Sequence, residues 1–436
     1  MEGKGPQDLN VKTSSPGQSL SAAVDPRYVD QLNSEFYGKI KYPWPVTVLD
    51  RTVQKGFWSK MLGQDIGSWG SPIVPENGAV WVAGCGTNQA LITALKFPEA
   101  KVLGCDLSEE SLAVCRKNTD SLGVGNLELR RESINDVKYV GEFDYVLCTG
   151  VIHHNADPLL PLGRLSKALK PLGVLELMVY NQFHRITTAA FQVAIRTLLS
   201  TASKPDLAKE LPIARKFVES FADSGSHIMS SFLKSLESEP DAAFCDALLQ
   251  PVEYSYTVGS LERLAQDCNL EILTFAIDQF SKTAGAVDWN LIFQDRALQE
   301  IYDSLPDTQR WQITNHLLLV DSPMLWFYLQ RQDSGRPRKT ERQICDEFRT
   351  RRFQRTMTEI ERFVRRQDGT YQKADKRLPF PGRPRDPLAA SLYSKLEEFA
   401  PLDETIIGMG IKESFSTINK LRINLATSAY PFLEVT

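Results

Sequence analysis

Two glycines and one carboxylate stand at spacings that suit the binding of a nucleoside. Gly84 and Gly86 follow an apolar run at residues 79–83, and Asp106 ends a second apolar run at residues 101–105. Glycine lets the backbone take conformations closed to other residues and lets a ligand approach the main chain. A carboxylate about twenty residues after such a turn, at the carboxyl end of a strand, can accept both hydroxyls of a ribose. These residues predict a site for a nucleoside-bearing cofactor.

The elements that must position these residues alternate between strand and helix, a pattern typical of a parallel sheet with helices on both faces. Right-handed crossovers bring the carboxyl ends of such strands to one edge, where open α/β folds bind their ligands. We predict strands at 79–83, 101–105, 126–131, 143–148, 173–180 and 270–275, and helices at 89–97, 108–121, 157–168 and 258–268. A seventh strand lies at 288–293 or, preferably, at 323–329, where it would enclose a helical insertion at 294–320.

The first motif resembles that of the class I S-adenosylmethionine-dependent methyltransferases. That family commonly has hydrophobic-hydrophobic-acid-x-Gly-x-Gly-x-Gly, and residues 81–88 here read WVAGCGTN. Val82 replaces the acid, so another group must bind the ammonium of the cofactor. Asn88 replaces the last glycine, a mild departure because Asn tolerates the left-handed conformation. Gln89 stands where a nicotinamide dinucleotide motif has its third glycine, which favours S-adenosylmethionine.

The resemblance implies a fold and a set of cofactor contacts. The fold would be α/β, with a doubly wound, mostly parallel seven-stranded sheet of Rossmann-like methyltransferase type, a helical lid insertion and an extra C-terminal α-rich domain. The cofactor would be S-adenosyl-L-methionine and the product S-adenosyl-L-homocysteine, with adenine after the third strand and the methionine end after the fourth. The implied cofactor-binding residues are Ala83, Gly84, Cys85, Gly86, Asn88, Gln89, Asp106, Leu107, Ser133, Ile134, Thr149 and Gly150.

Candidates for catalysis and substrate contact follow the fourth and fifth strands. His153 or His154 could act as a general base toward a hydroxyl or amine, because imidazole titrates near neutral pH. Packing or a loop hydrogen bond is the alternative role for either histidine. Adjacent histidines point in different directions, so they form a poor metal pair, and we expect no metal. The third catalytic candidate is Tyr180, and the candidate substrate-binding residues are Tyr42, Trp44, Asn181 and His184.

The rest of the sequence predicts a chain of several parts. They are a disordered tail at 1–24, an aromatic extension at 25–70, a methyltransferase domain at 71–331 with a lid insertion at about 183–256, and a C-terminal accessory domain at 332–436. Extensions of this kind often cover the cofactor cleft in the resembling family, and simple packing on the domain is the alternative. Within the insertion we predict helices at 186–199, 206–221 and 226–235, and His227, Met229 and Phe232 could line the pocket.

A basic stretch lies in the accessory part. Residues 336–385 contain sixteen Lys and Arg against seven Asp and Glu, although the whole chain has a net charge of −4. We predict a helix over 341–366. One interpretation is that the charged face of this helix is solvated while its apolar side docks on the methyltransferase domain. The other is that the charged face binds an acidic partner, a phosphate-bearing substrate or nucleic acid.

Composition fits an ordinary globular protein, with 42% hydrophobic and 24% charged residues. Its seven cysteines lack metal-binding spacing, and neither a signal peptide nor a run of membrane-spanning length is evident. We therefore expect buried free thiols, a cytoplasmic location and no membrane or nucleic-acid partner. The predicted function is transfer of a methyl group to an O or N nucleophile of a small molecule such as a specialised metabolite. The alternatives are a protein or peptide methyltransferase, a non-catalytic cofactor-binding scaffold and an NAD-dependent oxidoreductase, although no Tyr-x-x-x-Lys pair supports the last.

Overall fold

The computed structural model describes residues 25–40, 46–70, 72–198, 206–222, 234, 236–277 and 289–436. Its helices are α1 (Pro26–Lys39), α2 (Phe57–Asp65), α3 (Gln89–Lys96), α4 (Glu109–Leu122), α5 (Leu159–Ala168), α6 (Gln182–Leu198), α7 (Leu207–Ala222), α8 (Asp241–Leu248), α9 (Val258–Asp267), α10 (Arg296–Ser304), α11 (Asp307–Leu318), α12 (Glu341–Thr350), α13 (Pro387–Lys395), α14 (Leu402–Gly408) and α15 (Phe415–Leu425). Its strands are β1 (Val48–Thr52), β2 (Ala79–Ala83), β3 (Lys101–Asp106), β4 (Leu127–Arg131), β5 (Phe143–Thr149), β6 (Leu169–Val179), β7 (Leu270–Phe275), β8 (Leu325–Arg331), β9 (Phe353–Arg355), β10 (Thr358–Arg365), β11 (Tyr371–Lys373), β12 (Leu378–Phe380) and β13 (Leu433–Val435). None of these described helices is long and apolar enough to cross a membrane.

Seven strands form the central sheet in the order β4-β3-β2-β5-β6-β8-β7. The first five are parallel, and β8 lies antiparallel between β6 and β7. Central strands such as β2 are almost continuously apolar because helices cover both faces of the sheet. The predicted fold class is therefore confirmed, and the later of the two candidates for the seventh strand is the one that forms. Residues 289–293 form no strand, and Asp288 lies outside the described residues.

A helical layer lies beside the carboxyl edge of the sheet. Helices α6, α7 and α8 of the insertion share a hydrophobic core with α1, in which Phe36 and Ile40 meet Phe191, Ile195 and Phe244. Such a core needs residues from both the N-terminal extension and the insertion, so neither forms this layer alone. The third helix predicted for the insertion, with His227, Met229 and Phe232, falls mostly outside the described residues.

A second, smaller sheet joins the N-terminal extension to the accessory part. Strand β1 pairs antiparallel with β10, which also pairs with β11 and β12, so the order is β1-β10-β11 with β12 beside β10. Leu49 of β1 and Phe363 of β10 are opposite each other and both pack into the core of the central domain. The N-terminal extension and the accessory part therefore share one sheet.

The helix predicted over 341–366 is wrong beyond residue 350. Helix α12 ends at Thr350, and residues 353–355 and 358–365 are strands. Ile360 and Phe363 have a three-residue spacing that reads as helical, yet on a strand such residues point to opposite faces. Both are buried, because β10 is covered on both sides along part of its length.

Part of the basic stretch is paired with acidic side chains, some of them from other parts of the chain. Arg362 pairs with Asp50, and Arg338 pairs with Asp307. Lys373, Arg377 and Arg51 all pair with Glu361, a buried carboxylate. Hydrogen bonds from these cations lower the pKa of Glu361 to about 2, against the opposing effect of desolvation. These cations therefore serve contacts within the protein, whereas the docking interpretation expects the charged face to be solvated.

A buried polar network anchors the accessory helices to the central domain. The carboxylate of Glu341 at the start of α12 accepts hydrogen bonds from Arg310, Trp311, Asn290 and Asn419. Arg310 also pairs with Asp307, and all three ionic side chains are at most 3% exposed. One carboxylate thus holds α11, α12 and α15 together.

Candidate functional site

The glycine turn after β2 has the backbone conformation that the sequence predicts. Gly84 and Gly86 have positive φ angles of 71° and 53°. The N–H groups of Gly84 and Cys85 both donate to the carbonyl oxygen of Cys105, at 2.9 Å, which ties the turn to the end of β3. The turn is therefore fixed by backbone bonds before any ligand is considered.

The close approach at Gly84 is made by a protein side chain. A Cβ atom built on Gly84 would lie 2.4 Å from Cγ2 of Val151, in the loop after β5. The sequence predicts that a ligand approaches the main chain here, and at Gly84 the structure corrects that prediction. Glycine is needed here because Val151 packs against the main chain of the turn.

Replacing Gly84 by alanine is expected to lower the stability of the protein. The left-handed backbone costs a residue with a side chain about 1–2 kcal/mol, and the contact with Val151 adds to that cost. Urea unfolding measures the change in the free energy of unfolding. Gly163→Ala is the matched control, because a Cβ at this α5 position meets nothing within 4 Å, and a gain of about 0.5–1 kcal/mol is expected. Equal effects of the two substitutions would contradict this account.

Asp106 lies at the end of β3 with both carboxylate oxygens turned toward backbone donors. Gly86 N–H donates to Oδ2 at 2.8 Å and Ser108 N–H donates to Oδ1 at 2.9 Å. Desolvation raises the pKa of this carboxyl above its usual value, while these backbone bonds act in the opposite direction. Each carboxylate oxygen has two lone pairs, so one remains on each for a further donor. The geometry suits the two hydroxyls of a ribose.

The polar pair Gln89 and Thr149 lies on the other side of the turn. Oγ1 of Thr149 donates to Oε1 of Gln89 at 3.0 Å, and both side chains are partly exposed. Gln89 begins α3, whose first N–H groups have no partner within the helix. Gly150 follows with a φ of 79°. These residues sit between β2 and β5, where the sequence predicts the methionine end of the cofactor.

Three predicted cofactor residues have their side chains in the protein interior. Ala83 and Cys85 are each 1% exposed and belong to the two hydrophobic cores of the sheet, so only their main chains can face a ligand. Asn88 has a φ of −144°, and its Oδ1 accepts from Asn118 on α4. Asn88 therefore does not take the left-handed conformation, which corrects the prediction that it replaces the last glycine of the motif in that conformation. Val82, at the position of the usual acid, is 1% exposed and packs in the core.

The loop after β4 is bound to α1. Oγ of Ser133 donates to Oδ2 of Asp30, and Nδ2 of Asn135 donates to Oδ1 of the same carboxylate at 2.9 Å. Ile134 between them is 7% exposed. Desolvation raises the pKa of Asp30, while hydrogen bonds from Ser133 and Asn135 oppose that rise. The residues predicted to contact adenine thus lie directly beneath an N-terminal helix.

Helix α1 also contacts the loops after β3 and β5. Oγ of Ser34 donates to the carbonyl oxygen of Leu107, and Nδ2 of Asn33 donates to that of His154 at 2.8 Å. Sequence reasoning missed these α1 residues because it weighed only the aromatic side chains of the extension. A signal for their role was present in the sequence, because Asp30, Asn33 and Ser34 form a polar set at helical spacing. This set lies beside the buried apolar residues Val29, Leu32 and Phe36 of the same helix.

His153 and His154 lie in a short 3-10 turn after β5 and are buried. The ring of His153 stacks on Tyr180 with centroids 3.8 Å apart, and neither of its nitrogens has a hydrogen-bond partner among the described residues. Nδ1 of His154 contacts the carbonyl oxygen of Val252 at 2.9 Å. Desolvation lowers the pKa of His153 well below its ordinary value and that of His154 to about 4. Both rings are neutral, weak bases at pH 7, so their catalytic roles stay predictions.

His153→Phe is expected to raise stability and to weaken its dependence on pH. Phenylalanine keeps a ring against Tyr180 and removes an unpaired polar group, whose burial costs about 1–3 kcal/mol. The folded protein resists protonation of His153, whereas the unfolded chain takes up a proton below a pH of about 6.5. Wild-type stability therefore falls as the pH drops below that value, and the variant lacks this contribution.

Urea unfolding at pH 7.5 and pH 5.5 checks this expectation for His153. The wild type is expected to lose about 1 kcal/mol more than His153→Phe between these pH values. Identical pH dependence in the two proteins would show that His153 does not titrate as described. Methyl-transfer activity of the same variant then reports separately on the catalytic role.

The predicted substrate residues divide into two groups. Asn181 is fully buried, and its amide makes four bonds: Nδ2 donates to Ser322 and Pro323, and Oδ1 accepts from Phe183 and Asn315. An amide with all four positions used has none left for a substrate, so the structure corrects this prediction. His184 contacts Met324 and the carbonyl oxygen of Ser322. Tyr42 and Trp44 lie outside the described residues.

The residues of this edge fit S-adenosylmethionine on two observations. The left-handed turn at Gly86 brings a backbone N–H to Asp106, whose carboxylate retains one acceptor position on each oxygen. Gln89 and Thr149, beside the turn, are partly exposed and hydrogen-bonded to each other. A nucleoside supplies ribose hydroxyls that can donate to the acceptor positions of Asp106.

Comparison with known proteins agrees with this geometry. A family model described as a methyltransferase domain matches residues 77–214. An uncharacterized protein of Synechococcus sp. is 31% identical over 198 residues, which cover 44% of this chain and 47% of that protein. An uncharacterized protein of Rickettsia prowazekii is 38% identical over 79 residues, or 18% of this chain and 14% of that protein. The matched regions thus span about half or less of these relatives.

Solved structures share the fold over most of the chain. PKMT2 from Rickettsia typhi has a TM-score of 0.55 at 15% identity, covering 90% of this chain and 76% of that one. The same protein in complex with AdoHcy has a TM-score of 0.56 at 15% identity, covering 87% and 75%. Residues 77–214 thus match a methyltransferase domain, and the solved structures share the fold of the chain that contains it.

Proposed function

We propose that this chain transfers the methyl group of S-adenosylmethionine to an oxygen or nitrogen nucleophile of a small molecule. The observation that carries the proposal is the covered carboxyl edge of the sheet. There the acceptor positions of Asp106 lie close to the buried loops after β4 and β5, and α1 lies across all three loops. A site that is covered in this way admits a narrow acceptor.

The reaction requires little from side chains beyond placement. S-adenosylmethionine supplies a methyl group already activated by its sulfonium. The protein's contribution is to hold donor and acceptor in line and to exclude water, which together can lower the barrier by several kcal/mol. Asp106 and the glycine turn would fix the nucleoside, and the buried His153 and the partly exposed Tyr180 would line the side of the site away from solvent.

A nitrogen acceptor suits this environment better than a hydroxyl. An alcohol must lose a proton as it attacks, which calls for a base of pKa near the working pH. The pKa values of His153 and His154 are lowered by burial, so neither ring is a strong base. A neutral amine attacks through its lone pair and can release its proton after the transfer. We therefore favour an amine over an alcohol.

A protein or peptide acceptor is the second candidate. The likeness to PKMT2 of Rickettsia typhi covers 90% of this chain, so it includes the helical insertion and the accessory part as well as the matched domain. These added elements enlarge the surface that could recognise a macromolecule. A single side chain on a protein would meet the same narrow access as a small molecule.

A cytoplasmic location belongs to the same proposal. All seven cysteines are free thiols, and six of them are buried. Reducing compartments keep thiols in this state.

The proposal is tested with purified protein and S-adenosylmethionine labelled on its methyl group. Incubation with a lysate separated into small-molecule and protein fractions is expected to give label in the small-molecule fraction and release S-adenosylhomocysteine. Label in proteins would favour the second candidate. Calorimetric titration with S-adenosylhomocysteine and NAD runs in parallel. Binding of S-adenosylhomocysteine without transfer to any fraction would support a cofactor-binding scaffold, and binding of NAD alone would contradict the methyltransferase.

A further inference from the structure

Helix α1 and the insertion have a hydrophobic core of their own. Its buried members are Phe36 and Ile40 of α1 together with side chains between residues 191 and 249. Within the described part of the chain, no member of this core comes from the central sheet, whose strands pack in two other cores. Separate hydrophobic cores commonly mark separate structural units. Helices α1, α6, α7 and α8 therefore form one packed unit, which we call the cap.

A hydrogen-bonded link also joins α1 to the insertion within the cap. Nε2 of the buried Gln250 donates to the hydroxyl of Tyr37 at 2.7 Å and to Oδ1 of Asp246, in α8, at 2.8 Å. The Tyr37 side chain also hydrogen-bonds to the carboxylate of Asp246. Such a buried network fixes the orientation of the elements that it connects. The position of α1 is thus tied to that of α8 by polar as well as apolar contacts.

One side of the cap lies over the loops predicted to bind the cofactor. Helix α1 contacts the loop after β3 through Ser34, the loop after β4 through Asp30 and the loop after β5 through Asn33. These anchors are hydrogen bonds, which a protein exchanges for bonds to water at a small net cost. The docked position of α1 is therefore one that a ligand bound at these loops can stabilise further.

The other side of the cap lies over the predicted acceptor side. Helix α6 begins at Gln182, directly after the candidate residue Tyr180. The guanidinium carbon of Arg185, in the first turn of α6, lies 4.4 Å from the centre of the Tyr180 ring. Arg185 also pairs with Glu253, where the insertion returns to the edge of the sheet. The position of the insertion therefore decides how the Tyr180 side of the site is covered.

The insertion leaves and rejoins the edge of the sheet at one place. The N–H of Gln182 donates to the carbonyl oxygen of Tyr256 at 2.8 Å, and the N–H of Tyr256 donates to that of Tyr180 at 2.9 Å. Hinges of domain closure are commonly a few residues at the ends of elements. Two short paired segments next to a unit with its own core have the form of such a hinge.

We propose that the cap closes as one body, so that cofactor binding beneath α1 is coupled to closure of the insertion over the acceptor side. This inference rests on the proposed function, because it takes the loops beneath α1 as the cofactor site. A nucleoside that favours the docked position of α1 then also favours the closed insertion. By linkage, loosening the insertion weakens the nucleoside by the same factor. The acceptor thus meets a completed site only after the cofactor has bound.

The test truncates the same side chain in two separate cores. Phe244 of α8 belongs to the core of the cap and Phe348 of α12 to that of the accessory part, and both are fully buried. Phe244→Ala is expected to weaken S-adenosylhomocysteine by about fivefold or more, the lower end of typical couplings between sites. Phe348→Ala is the matched control and is expected to stay within about twofold of the wild type, well below such a coupling. Calorimetric titration measures both affinities.

Hydrogen exchange of the wild type provides the reciprocal measurement. Saturating S-adenosylhomocysteine is expected to slow the amides of α8 by a similar factor of about five or more. In the described structure α8 makes no hydrogen bond to the loops after β3, β4 and β5, so this protection must travel through the cap. The amides of α15, in the accessory core, report the general stabilisation that any bound ligand gives.

The outcomes separate this inference from the proposed function. Equal loss of affinity in Phe244→Ala and Phe348→Ala would overturn the coupling, since general destabilisation would explain both. Unchanged affinity in Phe244→Ala, or amides of α8 slowed no more than those of α15, would overturn it too. Circular dichroism checks each fold, and Phe244→Leu, which removes less volume, replaces Phe244→Ala if that variant does not fold.

The wild type alone tests the proposed function in the same experiment. Binding of S-adenosylhomocysteine without methyl transfer would contradict the proposed function, while the coupling would still be measured by the two variants and by exchange. If the wild type does not bind S-adenosylhomocysteine, the proposed function fails, and the coupling fails with it.

Discussion

Asp106→Ala is expected to weaken the binding of S-adenosylhomocysteine by about 100-fold or more. Hydrogen bonds to a charged group contribute about 1.5–3 kcal/mol each, and the substitution removes two acceptor positions for ribose hydroxyls. It also leaves the N–H groups of Gly86 and Ser108 without their present acceptor, so the glycine turn loses one of its links to the end of β3. Calorimetric titration measures the loss.

Glu109→Ala is the matched control for the effect of negative charge near this edge. Glu109 begins α4 only three residues after Asp106, but it is exposed and pairs with Arg116 at 3.4 Å. This variant is expected to keep wild-type affinity within about twofold, as exposed pairs contribute little. Wild-type affinity in Asp106→Ala, with a normal circular dichroism spectrum, would show that the carboxylate does not bind the ribose.

Glu341→Ala is expected to lower the free energy of unfolding by about 3–5 kcal/mol, the range for breaking a buried ion pair. The carboxylate is fully buried and accepts from two side chains of α11, one of α15 and Asn290 in the loop before α10. Its removal leaves the guanidinium of Arg310 with Asp307 as its remaining ionic partner. Urea unfolding followed by tryptophan fluorescence measures the change, since Trp311 belongs to the network.

Glu300→Ala is the control for this second substitution. Glu300 pairs with Arg296 on the surface of α10, where both side chains are more than half exposed. Little change in stability is expected from its loss. Glu341→Gln keeps the size of the side chain and one oxygen acceptor, so its effect is expected to lie between the other two. A change in Glu341→Ala no larger than in Glu300→Ala would mean that the network contributes nothing.

The central sheet could be predicted from sequence because its signals are local. Apolar runs such as residues 79–83 are bounded by glycines and polar residues, and β2, β3, β5 and β6 are each followed by a helix. The same locality placed Gly86 and Asp106 at one edge, because parallel strands must end there. Strand β8 was harder, since its pairing between β6 and β7 depends on elements far away in sequence.

The parts that could not be predicted depend on contacts between distant residues. The register of β1 with β10 decides that residues 358–365 are a strand, although Ile360 and Phe363 have helical spacing. Three of the four bonds of Asn181 are made with Asn315, Ser322 and Pro323, more than a hundred residues away. Burial shifts the pKa of His153, and burial is a property of the folded chain. No single stretch of sequence carries this information.

The pairing of β1 with β10 has a consequence for how the protein is made. Val48 and Val364 are partners in this sheet, so β1 leaves the ribosome about 300 residues before the strand that completes it. At a synthesis rate of about 5–20 residues per second, the delay is on the order of tens of seconds. During that time β1 is a nascent strand with an open edge and the apolar side chains of Val48 and Leu49. Such segments are bound by chaperones and are prone to aggregate when they stay unpaired. Expression at reduced temperature or with added chaperones is therefore expected to raise the yield of folded protein.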